Sequence, residues 1–123
     1  DWLRKLEPLG TKPEKPHLEL APWLIVVFSE RYGEDLDGSK RKNYYVPESV
    51  GIATGFLISA FHFSGLSCLT HTPSPMGFLN RICQRPPSNK AVLILAVGHP
   101  ADDATIPRAA TVKKPITEIV SVL

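Results

Sequence analysis

Residues 46–65 read VPESVGIATGFLISAFHFSG, and this stretch decides the fold. Pro47 suits a first helical turn, where the N–H it lacks has no partner in any case. Glu48 complements the positive end of the helix dipole. Val50, Ala53, Phe56 or Leu57, Ala60, Phe61 and Ser64 recur at helical spacing. Gly65 supplies the left-handed residue that ends such a helix. The spacing predicts a helix over 47–64, apolar nearly all round. A helix of that kind is central to a core or to a subunit interface. From Ser49 to Asn80 there is no Asp, Glu, Lys or Arg, a run of 32 residues that raises the question of a membrane span. Gly51, Gly55, Ser59, His62 and Gly65 interrupt it, and Pro73 and Pro75 follow closely. A buried helix is the expectation, and no membrane partner.

Working outward, Trp23-Leu24-Ile25-Val26-Val27-Phe28 is an unbroken run of strand length, which predicts a strand buried on both faces. Ala91 to Val97 (AVLILAV) predicts a second, stopped by Gly98 and Pro100. Ser67 to Thr70 predicts a short strand leaving the long helix. His71 to Pro75 reads as a turn, and Gly77 to Cys83 as a short helix closed by Arg85-Pro86-Pro87. Residues 30–43 (ERYGEDLDGSKRKN) predict a solvated loop, residues 7–16 a proline-rich loop and Asp1 to Leu6 a helix end. Residues 101–115 are expected to be irregular, and Ile116 to Leu123 weakly β-like or helical. The order is strand, long helix, short strand, short helix, strand, which points to α+β or α/β with a mixed sheet.

The 123 residues suffice for one domain, and 43% hydrophobic with 21% charged residues excludes disorder throughout. A net charge of +2 cannot neutralise many phosphates, so no nucleic-acid partner is expected. Cys68 and Cys83 make no disulfide framework and match no metal-ligand spacing. His17, His62, His71 and His99 are likewise not spaced as metal ligands, so no metal is expected. Asp102-Asp103 reads as a solvated turn. The first residue is Asp, and the only Met is Met76, so further chain upstream is expected.

No GxSxG, HExxH, Walker or GxGxxG signature is present. Three segments carry candidate chemistry. Thr70-His71-Thr72-Pro73-Ser74-Pro75-Met76-Gly77 leaves a strand and enters a helix. Its hydroxyls and free N–H groups can face a ligand heteroatom or anion, or simply cap the helix. Lys113-Lys114-Pro115 offers two cations to a phosphate or to solvent. Lys15, beside Pro16 at the mouth of a strand, can meet a carboxylate as a point charge.

Together, YYVPESVGIATGFLISAFHFSGLSCLTHTPSPMGFLNRICQRP, AVLILAVGHPADDATIP and KKP resemble the C-terminal half of the nitroreductase superfamily. KPHLELAPWLIVVF is similar to the lead into the first strand here in its iodotyrosine deiodinase branch. The resemblance runs from about Trp2 to Val122. It implies an α+β, nitroreductase-like fold with a mixed sheet flanked by helices, in an intertwined homodimer. FMN would bind non-covalently at the dimer interface, with NAD(P)H as electron donor and a small aromatic substrate stacked on the flavin. Residues 1–123 would be the C-terminal part of a single FMN-binding domain, without its N-terminal part. That absent part includes the arginine-rich FMN-binding segment and the lid that covers substrate.

Carried over by residue, the resemblance places Thr70, His71 and Thr72 beside the flavin ring. The Thr72 hydroxyl would lie near flavin N5, as the catalytic group. Lys113 stands where the family usually has an arginine on the FMN phosphate, keeping the charge and losing the bidentate fork. Lys15 would hold the substrate carboxylate, which implies a halogenated tyrosine-like substrate and reductive dehalogenation. The expected location is the cytoplasm. The alternative is a cofactor-free fragment that dimerises through 47–64 and has no activity alone.

Overall fold

The computed structural model describes Arg4, Glu7 and residues 12–123. The expected helix end at 1–6 therefore falls outside the described residues, apart from Arg4. Pro16–Pro100 form one compact unit, and Asp1–Lys15 with Ala101–Leu123 form another.

The first unit is an antiparallel sheet with one long helix against it. A short helix α1 (His17–Leu20) precedes β1 (Trp23–Glu30). Then come β2 (Tyr32–Glu34), β3 (Lys40–Lys42), the long helix α2 (Val46–Phe63), β4 (Ser67–His71), α3 (Phe78–Ile82) and β5 (Asn89–Gly98). The sheet order is β1-β5-β4. Trp23 pairs with Val97 and Glu30 with Asn89, with an irregularity at Val27/Phe28. Ser67 pairs with Gly98 and His71 with Ile94. Both pairings are antiparallel, so any parallel component of the expected mixed sheet lies outside the described strands.

Central position explains the burial of β5. Neighbours on both edges cover it, and Ala91, Ile94, Leu95, Ala96 and Val97 are buried, Leu95 completely. Leu79 of α3 packs with Ala91 and Ile94, and Val26, Phe28 and Met76 close over them. β1 differs from the expectation of a strand buried on both faces. It is mostly half-buried, and Trp23 and Leu24 are exposed. An unbroken apolar run cannot tell a covered face from one still to be covered.

Helix α2 spans the expected residues to within one position. The Gly65 N–H donates to the His62 carbonyl and the Leu66 N–H to the Phe61 carbonyl, with Gly65 at φ +75°. This is the Schellman closure that only a left-handed residue allows. Val46, Val50, Thr54, Leu57, Ile58 and Phe61 form its covered stripe, of which only Thr54 is fully buried. The Thr54 hydroxyl donates to the Val50 carbonyl at 2.7 Å, which lets it sit among apolar neighbours. Ile52, Phe56 and Phe63 point away and are exposed. The helix is therefore covered on one stripe and open on the other among the described residues, rather than buried all round as expected. By length and composition alone α2 could also cross a membrane.

Residues 30–43, expected to be a loop, contain the β2–β3 hairpin. Tyr32 pairs with Lys42 and Glu34 with Lys40. Gly38 takes φ +81° in the turn, and its N–H donates to the Asp35 carbonyl. The Ser39 hydroxyl, and after it the Ser39 N–H that donates to Asp37 Oδ1, hold that carboxyl below its usual pKa. In the second unit, α4 (Arg108–Thr111) and a single 3-10 turn (Ile116–Glu118) are the regular elements among residues 101–123, so the C-terminal stretch forms no strand.

Candidate functional site

The edge strand β4 presents the first set of predicted residues. Pairing with β5 fixes Thr70 opposite Leu95 and His71 opposite Ile94. The other edge of β4 carries no neighbouring strand among the described residues. Thr70 and Thr72 are exposed and His71 is half-buried. Neither threonine hydroxyl is engaged by the described residues, so both can serve an external acceptor or donor. His71 meets the His17 ring edge-on, with centroids 5.5 Å apart at 74°. That contact ties α1 to the end of β4. The chain then turns through a cis Ser74–Pro75 bond, and Met76 anchors it against the core. The expected helix begins at Phe78 rather than Gly77, which is its cap. Cys68, two residues before Thr70, is partly buried, which pushes its thiol pKa up. It is a poor nucleophile for that reason.

Lys15 and Lys113 belong to the second unit. Lys15 is half-buried and donates from Nζ to the Lys12 carbonyl. Lys113 is exposed, between α4 and the 3-10 turn, with Lys114 beside it. The structure thus gathers Thr70, His71 and Thr72 at one strand end and keeps both lysines in the other unit. Among the described residues, no group of three or more His, Cys, Asp or Glu could hold a metal ion.

A second feature went unread in the sequence. A groove of about 810 Å³ runs between α2 and β5, lined by residues that include Val50, Ile58, Met76 and Leu93. Arg31, Lys42 and Lys90 also line it, and none of the predicted site residues does. The related sequence signal, the KRK cluster at 40–42, reads as surface more readily than as a site.

No family model matches the chain. Relatives do. An iodotyrosine deiodinase of Haliscomenobacter hydrossis is 56% identical over 107 residues, which are 87% of this chain and 48% of that protein. One from Nematostella vectensis is 40% identical over 119 residues, 96% of this chain and 44% of its own length. A crystal structure of oxidized iodotyrosine deiodinase bound to FMN and 3-iodo-L-tyrosine superposes with a TM-score of 0.68 at 29% identity. It covers 90% of this chain and 55% of that one. Over nearly its whole length the chain is similar to the iodotyrosine deiodinase branch of the nitroreductase superfamily. An oxidoreductase containing FMN, at 19% identity and a TM-score of 0.59, shares the fold over 64% of the chain. The chain spans about half the length of the iodotyrosine deiodinases it matches.

Proposed function

We propose that the protein containing this chain is an FMN-dependent reductive dehalogenase of halogenated tyrosines. The observation that carries the proposal is the 56% identity to an iodotyrosine deiodinase over 87% of the chain. The strand-end geometry supports it. Thr70 and Thr72 offer unengaged hydroxyls at an open sheet edge, which suits the polar rim of a flavin ring. Lys113 is one exposed cation, and a single exposed pair contributes only about 0–1 kcal/mol. The phosphate dianion therefore takes further donors from outside the described residues.

Replacing a carbon–iodine bond by carbon–hydrogen takes two electrons and a proton and releases iodide. The flavin, when bound, supplies the electrons, with NAD(P)H as the reductant that recharges it. Thr72 donates its hydroxyl hydrogen bond at flavin N5 and so tunes the cofactor. Lys15 holds the carboxylate of the amino-acid substrate. The exposed face of α2 pairs with its counterpart in a homodimer.

The test places this chain in the Haliscomenobacter relative in place of the matching stretch. The chimera should purify yellow and release iodide from 3-iodotyrosine when reduced. Lys15→Ala should lower kcat/KM for iodotyrosine by ~10- to 100-fold, the scale of one hydrogen bond to a charged group, and spare simple nitroaromatics. Equal losses for both substrate classes remove Lys15 from the carboxylate. Thr72→Ala should reduce deiodination more than nitro reduction, and a parallel fall in both rejects the N5 role.

A further inference from the structure

Helix α1 is a single turn, and no side chain caps it. One turn has no stability of its own in water, so tertiary contacts decide where it lies. Two contacts do so, one at each end of residues 17–22. At one end Pro22 closes on Gly98, where a Cβ would come within 2.7 Å of the proline Cδ. At the other end the His17 ring meets the His71 ring, with centroids 5.5 Å apart. Gly98 pairs with Ser67 and Ile94 with His71, so the two contacts mark opposite ends of β4. Four strand rises separate them, roughly 13 Å. One helical turn and two extended residues bridge about that distance.

Both contacts fall on the same face of the sheet. Side chains alternate along a strand, so Ile94, Ala96 and position 98 share one face of β5. Directly opposed residues of an antiparallel pair point the same way, which puts His71 on the Ile94 face. Residues 17–22 thus lie along that face as a strap over β4. Thr70, opposite Leu95, points to the other face.

An edge strand has most use for such a strap at its end. β4 has one neighbouring strand among the described residues, and His71 is its last paired residue. Thr72 follows at once, exposed and outside the ladder. The backbone that carries the Thr72 hydroxyl is therefore oriented by the residue before it. The His71 side chain is half-buried, and the His17 ring, also half-buried, holds it from the strap.

We propose that His17 is a positioning residue, whose ring holds His71, fixes the end of β4 and so aims the Thr72 hydroxyl. This role presupposes the place of Thr72 at the flavin proposed above.

The experiment uses the chimera described above, free of FMN for one measurement and loaded for the other. In the flavin-free protein, His17→Ala should speed amide exchange several-fold in the peptide covering 69–72. Exchange where Ile25 pairs with Leu95 should stay unchanged, because the opening is local. His17→Phe, which keeps a ring at the contact, should restore slow exchange. In the loaded protein, His17→Ala should lower kcat for 3-iodotyrosine by ~10-fold at unchanged KM, as a small misplacement of a group beside the reacting atoms does. In a Thr72→Ala background the same substitution should cost nothing further, because residues that act as one unit do not add. Faster exchange throughout the sheet with a lowered melting transition marks a merely structural residue and overturns the proposal. Additive losses with Thr72→Ala overturn it, as does His17→Phe behaving like His17→Ala. The two readings fail differently. A chimera that takes up no FMN, or is indifferent to Thr72→Ala, rejects the site of Thr72 and this role with it. One that loses activity with Thr72→Ala and is indifferent to His17→Ala rejects the role of His17 alone.

Discussion

At the scale of single residues, local rules carried furthest where one conformation has one solution. Gly65 and Pro47 sit where helix-end chemistry places them. Gly98 marks a strand stop in the sequence, but its tightest constraint is tertiary. A Cβ there would lie 2.7 Å from Cδ of Pro22, a ring atom that cannot rotate away. Gly98→Ala should therefore destabilise the chain by about 1–3 kcal/mol, the range of forced overpacking, as measured by urea unfolding. A variant as stable as the wild type would show that the Pro22 segment shifts freely. Thr72, Lys15 and Lys113 stand out as candidates in the sequence itself, but their specific roles come only from the resemblance, because a hydroxyl or an amine has no spacing rule of its own. The groove cations were missed for the same reason. Arg31, Lys42 and Lys90 lie far apart in sequence and meet only through the sheet and hairpin.

At the scale of elements, every long apolar run became the element its length and composition demanded. β1, α2, β4 and β5 appear within a few residues of their expected bounds. The β2–β3 hairpin was lost because its flanks are charged, although Asp37-Gly38 is a strong turn signal. What the runs could not reveal is how much of each face is covered. Leu95 is 0% exposed on the central strand, whereas Leu24 on β1 is 45% exposed. Leu95→Ala should cost about 2–5 kcal/mol, the range for a leucine removed from a core. Leu24→Ala in the chain alone should cost under about 1 kcal/mol, since most of its transfer free energy is not yet gained. Similar losses at the two sites in denaturant titrations would mean that β1 is already covered in solution.

At the scale of the whole molecule, the same apolar pattern that marks a core helix here marks an unfinished surface. Ile52, Phe56 and Phe63 are 63, 75 and 88% exposed, at i, i+4 and i+11 on the side of α2 opposite its covered stripe. Three large apolar side chains in one row exceed the scattered exposure that soluble surfaces normally carry. This row lies away from the cationic groove and has no charge of its own to oppose self-pairing. Two such rows can interdigitate as ridges into grooves, with Ser59 giving room near the crossing. Self-association through this face is therefore the expected state of the chain in solution. Phe56→Glu places a carboxylate at the middle of the row, where pairing would desolvate two of them at once. Sedimentation equilibrium should show the dimer constant weakened by at least about tenfold, the loss typical of a central aromatic anchor. A control in lipid vesicles separates the other use of an apolar helix. Partition of the wild type into vesicles, with no dimer in buffer, would assign the face to a bilayer. A dimer indifferent to Phe56→Glu would move the interface elsewhere and leave α2 to be covered by a different part of the fold.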